Sequence, residues 1–246
     1  MEIDVALTAA SARAEQIRGR VVCVIDVLRA SSTIAAALSA GAAGIRPVAT
    51  VDAALALRDR LRAEGAGAVL AGEQGGDPPP GFDLGNSPRQ MKPETVGGRE
   101  VILTTTNGTL AVDRARRMGA RRIYVGAFVN LDRVVTALRE DPDAAAGILL
   151  YAAGSDGRVS LEDTVCAGLM ARELSLQVPD LRPRDAARVA IRAYTATAPD
   201  WPQPLLQGDH ARRLLDKGYG ADVDWCLRIN AVDAVGVVSG DRIVRL

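Results

Sequence analysis

Apolar runs of strand length alternate with helical segments along most of this chain, and this alternation constrains the fold more than any other feature. Five runs are almost continuously apolar, as strands buried on both faces of a sheet are: residues 21–26, 68–73, 101–106, 122–127 and 147–154. Helical segments lie between and after them, at residues 31–40, 51–64, 109–118, 131–140, 161–175 and 184–195. This order predicts a layered α/β/α fold with a largely parallel sheet.

Two stretches of the chain repeat the same order of elements. From Gly19 and again from Gly98, the chain reads Gly-Arg, strand, polar turn, helix, Gly-Ala, strand and a second helix. An ancient duplication of the sequence explains the repeated order, and so do two unrelated βαβ units that follow the same packing rules. Both interpretations stay open. We expect one domain over residues 1–246, and two similar internal lobes, about 1–97 and 98–246, around an active-site cleft are compatible with it.

The composition argues against several classes of protein. Basic and acidic residues balance at 30 each and aromatic residues are 3%, so the chain lacks the charge and the stacking surfaces that nucleic-acid binding uses. No apolar run is long enough for a membrane span, and acids stand near the N-terminus where a signal peptide is basic and then apolar. Cys23, Cys166 and Cys226 lie far apart in apolar surroundings. We expect a cytoplasmic protein with reduced, buried thiols.

Polar residues follow three of the predicted strands where a helix begins. Asp26 and Arg29 follow the first, Thr104–Thr106 and Asn107 follow another, and Gly154–Gly157 follow a third. Ligands of parallel α/β sheets bind at the carboxyl ends of strands, and the free amides of helix N-termini suit phosphate. These turns are therefore candidates for an anion site.

A cysteine nucleophile is a poor candidate. Cys23 and Arg29 have the C-x5-R spacing of a cysteine phosphatase loop. That chemistry needs a thiolate in a small-residue loop at the end of the strand. Here the apolar run continues through Cys23 to Ile25, and no glycine separates Cys23 from Arg29. A buried core cysteine is the better interpretation.

The polar turns have structural as well as functional interpretations. Asp26 and Arg29 could be a cap and a surface charge, and the segment after Asp26 lacks the second aspartate of aspartyl-phosphate phosphatases. The Thr104–Thr109 turn could bind an anion or simply cap a helix, and no Walker motif is present. Ser160 and Asp163 fit a capping pattern.

Residues 72–88, GEQGGDPPPGFDLGNSP, are too rich in glycine and proline for a helix interior or a central strand. They form either a passive surface loop or a shaped loop that presents Glu73, Asp83 and Asn86 to a ligand.

Oxygen ligands for a metal are more numerous than nitrogen ligands. His210 is the only histidine, so a zinc site of several His or Cys ligands is not supported. Mg²⁺ prefers oxygen ligands, and Asp26, Glu73, Asp83 and Glu162 could supply them. Glu162 could equally be a first-turn acid of its helix. His210 is then a structural or surface residue, or a proton donor.

Several long motifs occur together in the order of one known family. They are IDVLRASST (25–33), GEQGG with GFDLGNSP (72–88), TTTNGT (104–109), GAFVN (126–130), SLED with CAG (160–168) and GYGADVDWCLRIN (218–230). Through them the chain resembles the 2-phosphosulfolactate phosphatases, the ComB family, over nearly its whole length. The resemblance implies an α/β fold of the family's own type and Mg²⁺-dependent removal of phosphate from 2-phospho-3-sulfolactate, a step towards coenzyme M in methanogens. In bacteria without coenzyme M it leaves the substrate open.

With this resemblance we expect three groups of site residues. The catalytic group is Asp26, Arg29, Glu73 and Asp83. The substrate-binding group is Ser31, Asn86, Thr105, Thr106, Asn107 and Arg158, and Arg89 is a second candidate for contact with a sulfonate or carboxylate. The Mg²⁺ ligands are Asp26, Glu73, Asp83, Glu162 and Asp163. Asp26 would activate a water molecule, although a covalent aspartyl-phosphate stays open. Three further possibilities also stay open: a homodimer, a substrate that is another small anionic phosphomonoester, and a non-catalytic anion-binding role.

Overall fold

The apolar runs of this chain form strands that pair into one sheet. The computed structural model describes residues 1–246 and has ten strands: β1 (Glu2–Ala6), β2 (Val21–Ile25), β3 (Gly44–Val48), β4 (Ala68–Gly72), β5 (Glu100–Thr104), β6 (Arg122–Gly126), β7 (Ile148–Ala152), β8 (Arg182–Pro183), β9 (Gly236–Ser239) and β10 (Arg242–Arg245). The five predicted strands are β2, β4, β5, β6 and β7. Six of the nine strand pairings are parallel and three are antiparallel, which confirms the predicted α/β fold with a largely parallel sheet.

Ten α-helices connect or flank the strands. They are α1 (Ala14–Ile17), α2 (Ala30–Ser39), α3 (Val51–Ala63), α4 (Pro93–Val96), α5 (Gly108–Arg117), α6 (Leu131–Glu140), α7 (Leu161–Gln177), α8 (Asp185–Thr197), α9 (Asp209–Asp216) and α10 (Gly220–Cys226). The six predicted helices are α2, α3, α5, α6, α7 and α8. None of the helices combines the length and the apolar content that crossing a bilayer requires.

An antiparallel hairpin stands in the middle of the sheet. The strand order is β4-β5-β3-β10-β9-β6-β2-β7-β1-β8. The β9–β10 hairpin pairs antiparallel to β6 on one side and to β3 on the other. It therefore joins two parallel blocks, one formed by β4, β5 and β3 and the other by β6, β2, β7, β1 and β8.

The eight strands from β4 to β7 have a pseudo-twofold arrangement. If β2 is exchanged with β5, β3 with β6, β4 with β7 and β9 with β10, the same strand order results, read in the opposite direction. The two repeated stretches of the sequence are interleaved, because the first strand of each pairs with the second strand of the other. The strands of both stretches share one sheet, and the division into lobes stays a prediction.

Helices cover both faces of the sheet. Along β2, Val21, Cys23 and Ile25 pack into a core with α6, α7 and α8. Val22 and Val24 point to the opposite face and pack into a core with α2 and α5. Burial on both faces explains the nearly continuous apolar character of β2, and it confirms the layered α/β/α arrangement.

Candidate active site

A polar cleft lies where the N-termini of α2 and α5 meet the turns that follow β4 and β7. It has a volume of about 120 Å³, and Leu28 and Leu214 are the only hydrophobic residues among the sixteen that line it. Seven of the predicted site residues line this cleft: Asp26, Arg29, Glu73, Asn86, Thr105, Thr106 and Asn107. A lining with so few apolar groups suits a small, charged ligand.

Asp26 stands at the end of β2, in the turn that opens α2. Its side chain is buried. Oδ1 accepts a hydrogen bond from the amide of Ala30 (3.1 Å), and the Asp26 amide donates to Oγ of Ser31 (3.0 Å). Oδ2 faces Gly108 at the start of α5, where an added Cβ would lie 2.8 Å from it. The turn thus fixes one carboxylate oxygen and leaves the other directed at the junction of the two helices.

The surroundings of Asp26 favour its protonated form. Burial raises the pKa of Asp26 above the ordinary aspartate value, and the neighbouring carboxylates of Glu73 and Glu162 add to the rise. The positive charge that His210 can carry and the amide of Ala30 act in the opposite direction. A carboxylate with a raised pKa is a stronger base than an exposed one, which suits the acceptance of a proton.

Arg29 is held by the protein on several sides. Nη1 donates to Oδ2 of Asp222 (2.8 Å), Nη2 donates to the carbonyl of Gly76 (2.7 Å), and the guanidinium carbon lies 4.3 Å from the centre of the Tyr219 ring. Asp222 also accepts a hydrogen bond from Oγ of Ser87 (2.7 Å). Both members of the Arg29–Asp222 pair are buried. Arg29 therefore joins α10 to the cleft wall, in addition to lining the cleft.

The turn before α5 satisfies one amide at the start of the helix and leaves others free. The amide of Thr109 donates to Oγ1 of Thr105 (3.1 Å), and Oγ1 of Thr109 donates to the carbonyl of Thr105 (2.8 Å). The amides of Asn107 and Gly108 have no hydrogen-bond acceptor in the protein. The Thr105 hydroxyl therefore satisfies one amide at the start of the helix, and the binding of an anion by the amides of Asn107 and Gly108 stays a prediction.

Glu73 connects the turn after β4 to the turn after β5. Its Oε2 accepts from the amide of Gly76 (2.7 Å), and its Oε1 accepts from the amide (2.7 Å) and the hydroxyl (2.9 Å) of Thr106. Both carboxylate oxygens are therefore engaged by the protein. This geometry makes Glu73 a positioning residue for two walls of the cleft, and its predicted metal contact stays a prediction.

Asp163 makes the matching connection in the other half of the pseudo-twofold arrangement. Its Oδ1 accepts from the amide of Val27 after β2 (2.8 Å), and its Oδ2 accepts from the amide of Gly154 after β7 (3.1 Å). Asp163 does not line the cleft. Burial and the nearby Glu162 and Asp26 raise the pKa of Asp163 well above the ordinary value. The predicted capping role of Ser160 is present as well, since its Oγ accepts from the Asp163 amide (3.3 Å).

Two tight turns project beside these anchors, at residues 74–77 and 155–158. Each is closed by an antiparallel bridge, Gln74 with Asp77 and Ser155 with Arg158. The two central residues of each turn have positive φ angles, as in type I′ turns. In the first turn both are glycine, which meets this requirement without strain. The glycine-rich loop is thus a shaped wall of the cleft.

His210, on α9, lines the cleft and contacts a buried carboxylate. Its Nδ1 lies 3.2 Å from Oε1 of Glu162, on α7. Oε2 of Glu162 is buried and has no hydrogen-bond partner. The predicted roles of Glu162 as a metal ligand and of His210 as a proton donor stay predictions, and the contact between the two residues is a feature that the sequence did not reveal.

Besides Glu162 and Asp163, three of the predicted site residues do not line the cleft. Asp83 is exposed, and its Oδ2 accepts from the amide of Leu70 (2.8 Å) because residues 82–84 cover the outer edge of β4. Oγ of Ser31 is committed to the amide of Asp26. Arg158 is exposed on the 155–158 turn and borders a neighbouring depression. These side chains therefore do not line the cleft, and their predicted contacts with a ligand stay predictions.

Four of the polar or charged cleft residues were not among the predicted site residues. Ser155 and Asp156 come from the turn after β7, and Arg213 and Lys217 come from the end of α9. The motif around Gly154–Gly157 had drawn attention to the first pair. Nothing local distinguishes Arg213 and Lys217 from ordinary surface cations, because only the packing of α9 brings them to the cleft.

The oxygen atoms at the cleft are suited to a hard cation held by few protein ligands. No group of three His, Cys, Asp or Glu side chains converges in a metal-binding geometry. Mg²⁺ commonly takes one or two carboxylates and completes its shell with water and phosphate oxygens. Oδ2 of Asp26 is directed at the cleft, and Oδ1 of Asn86 and Oε2 of Glu162 are buried oxygens without a hydrogen-bond partner. Unpartnered oxygens of this kind suit such a cation, although Glu162 stands outside the lining of the cleft. Glu73, Asp83 and Asp163 suit it less well, since backbone amides occupy their carboxylates.

Comparison with known proteins identifies relatives along most of the chain. A family model described as 2-phosphosulpholactate phosphatase matches residues 6–241. A probable 2-phosphosulfolactate phosphatase from Thermotoga petrophila is 40% identical over 207 residues, covering 84% of each chain. Another from Thermus thermophilus is 39% identical over 223 residues, covering 89% of this chain and 88% of the relative.

A third relative, from Deinococcus radiodurans, bears the same name and is 38% identical over 224 residues, covering 91% of this chain and 90% of its own. The range matched by the family model includes every residue that lines the cleft. These matches confirm the resemblance seen in the motifs, and with it the prediction of a phosphoric monoester hydrolase. The chain belongs to the 2-phosphosulpholactate phosphatase family.

Proposed function

We propose that this protein hydrolyses 2-phospho-3-sulfolactate to 3-sulfolactate and inorganic phosphate, with Mg²⁺ as its cofactor. One observation supports this most directly: a buried carboxylate, Asp26, is directed at a helix N-terminus that has free amides, inside a polar cleft. The family and the names of its relatives supply the substrate. A cytoplasmic location and a step towards coenzyme M belong to the same proposal.

The N-terminal end of α5 would hold the phosphoryl group. The backbone amides of Asn107 and Gly108 have no hydrogen-bond acceptor in the protein and could donate to phosphate oxygens. The helix dipole adds positive potential at this end of α5. Asn86 lies at the same cleft and is buried. A phosphate placed here has neutral donors on one side and the Asp26 carboxylate on the other.

Asp26 would act on the nucleophile. Its raised pKa allows Oδ2 to accept a proton from a water molecule as that water attacks phosphorus. The fixed Oδ1 keeps the side chain in one orientation, which lowers the entropic cost of reaching the reactive geometry. Attack by Asp26 itself would use the same atom, so both mechanisms depend on this residue.

Mg²⁺, when bound, would offset the negative charge that develops on the phosphoryl oxygens. Asn86 and Glu162 are the residues that would hold it, because Oδ2 of Asp26 is assigned to the nucleophile and its Oδ1 to the amide of Ala30. Glu73 and Asp163 would keep the four turns around the phosphate in place through their amide contacts.

The test is phosphate release from 2-phospho-3-sulfolactate by the wild type and by Asp26→Asn, with Mg²⁺ and with a chelator. Asparagine keeps an oxygen for the Ala30 amide but cannot accept the proton, so we expect kcat to fall by about 10²- to 10⁴-fold with the fold unchanged. Chelation should abolish turnover by the wild type. Retained activity in the variant would reduce Asp26 to a helix cap.

The same assay separates the other functions that the sequence left open. Cleavage of other phosphomonoesters without cleavage of 2-phospho-3-sulfolactate would keep a phosphatase and change its substrate. Binding of phosphate without turnover of any ester would indicate an anion-binding protein on this scaffold.

A further inference from the structure

Two cations at the end of α9 line the cleft, and the mechanism above does not use them. Arg213 and Lys217 are four residues apart, so their side chains lie on the same side of the helix. Arg213 donates to Oδ2 of Asp156 (2.5 Å) and to Oγ of Ser155. Lys217 donates to the carbonyl of Gly75 (2.8 Å) in the 74–77 turn. Each cation therefore contacts one of the two tight turns.

The ion pairs of these two cations are open to exchange. The side chains of Arg213 and Asp156 are 52% and 56% exposed, and those of Lys217 and Asp77 are 41% and 58% exposed. Ion pairs so open to water are weak. An anionic ligand can therefore replace the aspartate partners at small cost.

Arg29 is not available in the same way. It is the third Arg or Lys of the cleft, but it is 3% exposed, and its terminal nitrogens already donate to Asp222 and Gly76. Arg158 and Arg89, the cations expected to meet a sulfonate or carboxylate, do not line the cleft. Among the Arg and Lys residues of the cleft, Arg213 and Lys217 are thus the ones that a ligand can recruit.

The substrate of the proposed function carries more charge than the phosphate site can balance. Besides its phosphate it has a sulfonate and a carboxylate, and the acids Asp26, Glu73 and Asp156 also line the cleft. Each additional anion needs a cation to offset desolvation and repulsion. The planar fork of Arg matches two oxygens of either anion, and Lys supplies a compact charge.

We propose that Arg213 and Lys217 bind the sulfonate and the carboxylate of the substrate and so select phosphomonoesters that carry further anionic groups. This specificity role rests on the proposed phosphatase function. Phosphate binding at α5 and proton transfer at Asp26 are assigned to other atoms. The two parts can therefore be tested separately.

The experiment compares three esters of secondary alcohols: isopropyl phosphate, 2-phospholactate, which adds a carboxylate, and 2-phospho-3-sulfolactate, which adds a sulfonate as well. The variants are Arg213→Gln, Lys217→Gln and, as the matched control, Arg212→Gln. Arg212 is an exposed cation of the same helix that does not line the cleft. Circular dichroism and unfolding midpoints check that each variant is folded.

The measured quantity is kcat/KM for 2-phospho-3-sulfolactate divided by kcat/KM for isopropyl phosphate. We expect Arg213→Gln and Lys217→Gln each to lower this ratio by about 10- to 100-fold, the range for a lost hydrogen bond to a charged group. Arg212→Gln should leave it unchanged. The affinity for 3-sulfolactate, measured by calorimetry, should fall by a similar factor in the two cleft variants. Arg213→Lys should bind 3-sulfolactate more tightly than Arg213→Gln and less tightly than the wild type.

A ratio that the two cleft variants leave unchanged would overturn the proposal, and so would an equal fall in the Arg212→Gln control. A wild type that shows no preference among the three esters would overturn it while keeping a phosphatase. A wild type that cleaves none of them contradicts the proposed function instead, and 3-sulfolactate binding by the same variants then decides the role of Arg213 and Lys217.

Discussion

At the scale of single residues, Gly108 sets how closely the two helices of the site approach. A Cβ added at this position would lie 2.6 Å from Cβ of Ala30 on α2 and 2.8 Å from Oδ2 of Asp26. The φ angle of Gly108 is not positive, so the need for glycine is one of space and not of backbone conformation. The TTTNGT motif thus contains a glycine because two helix N-termini meet there.

Gly108→Ala should therefore harm both catalysis and stability. The methyl group forces α2 and α5 apart, and we expect kcat to fall by about tenfold or more, because small displacements of reacting groups are costly. The free energy of unfolding should fall by about 1–3 kcal/mol, as for other overpacked sites. Activity assays and urea unfolding test this.

The matched control for Gly108→Ala is Gly220→Ala at the start of α10, where an added Cβ would meet only a side-chain atom of Leu215 at 3.4 Å. Equal behaviour of the two variants would contradict the role assigned to Gly108.

Glu73 and Asp163 show why residue types alone did not assign the acids of the site. Each bridges two turns in its own half of the pseudo-twofold arrangement, and backbone amides occupy each carboxylate. A carboxylate that binds amides and one that binds a metal look the same in a sequence. Only the position of the amides distinguishes them.

At the scale of elements, α9 closes the cleft. Ala211 and Leu214 are buried on its inner side, while Arg213 and the capping residue Lys217 reach the two tight turns. The helix is therefore attached to the protein by a small apolar contact, two exposed ion pairs and the contact of His210 with Glu162. Tyr219 adds a further link, because its hydroxyl donates to Asp77 (2.9 Å).

The two ion pairs of α9 should be visible in the titration of their aspartates. Hydrogen bonds from Lys217 and Tyr219 lower the pKa of Asp77, and a hydrogen bond from Arg213 lowers the pKa of Asp156. Because both pKa values are depressed by folding, each pair contributes stability above the ordinary aspartate pKa. That contribution is lost as the pH falls through the folded-state pKa.

Carboxyl-carbon NMR can follow both aspartates between pH 2 and 6, a range about two units either side of the ordinary aspartate pKa. We expect Lys217→Gln to raise the pKa of Asp77 and leave that of Asp156, and Arg213→Gln to do the reverse. Each variant is the control for the other. A change in both pKa values in either variant would mean that α9 moves as a whole, which contradicts two independent ion pairs.

At the scale of the whole molecule, the three thiols report on the intact fold. Cys23, Cys166 and Cys226 are buried and form no disulfide. Burial raises the pKa of each thiol, so little of the reactive thiolate forms at neutral pH. This agrees with the sequence-based rejection of a cysteine nucleophile.

We expect the three thiols to react with a disulfide reagent only when the protein unfolds. In native buffer the rate should be about 10³-fold or more below that of the denatured chain, because reaction requires opening of the core. Reactivity measured across a urea titration should follow the loss of circular dichroism. A thiol that reacts fully in native buffer would contradict its burial in the sheet and helix layers.

Much of the framework was predictable because its causes are local. Residues 21–25 and 101–103 are apolar since both faces of β2 and β5 are covered, and this leaves a signal within a few residues. The β9–β10 hairpin was not predicted, although it joins the two parallel blocks. Its strands are four residues long each and carry polar residues, and what stabilises them is pairing with β6 and β3, more than 100 and nearly 200 residues away in the chain.

The sequence was sufficient to predict the alternation of strands and helices and the polar turns at the carboxyl ends of the strands, and it contains the motifs that place the chain in its family. Which of those polar residues share a cleft depends on how the helices and turns pack. Asp26 and Glu73 reach it, whereas Asp83 lies on the edge of β4, and Arg213 joins it from α9. The physical reason is that strand and helix patterns come from the burial of neighbouring residues. The cleft comes from contacts such as Arg29 with Asp222, 193 residues apart, which leave no local pattern.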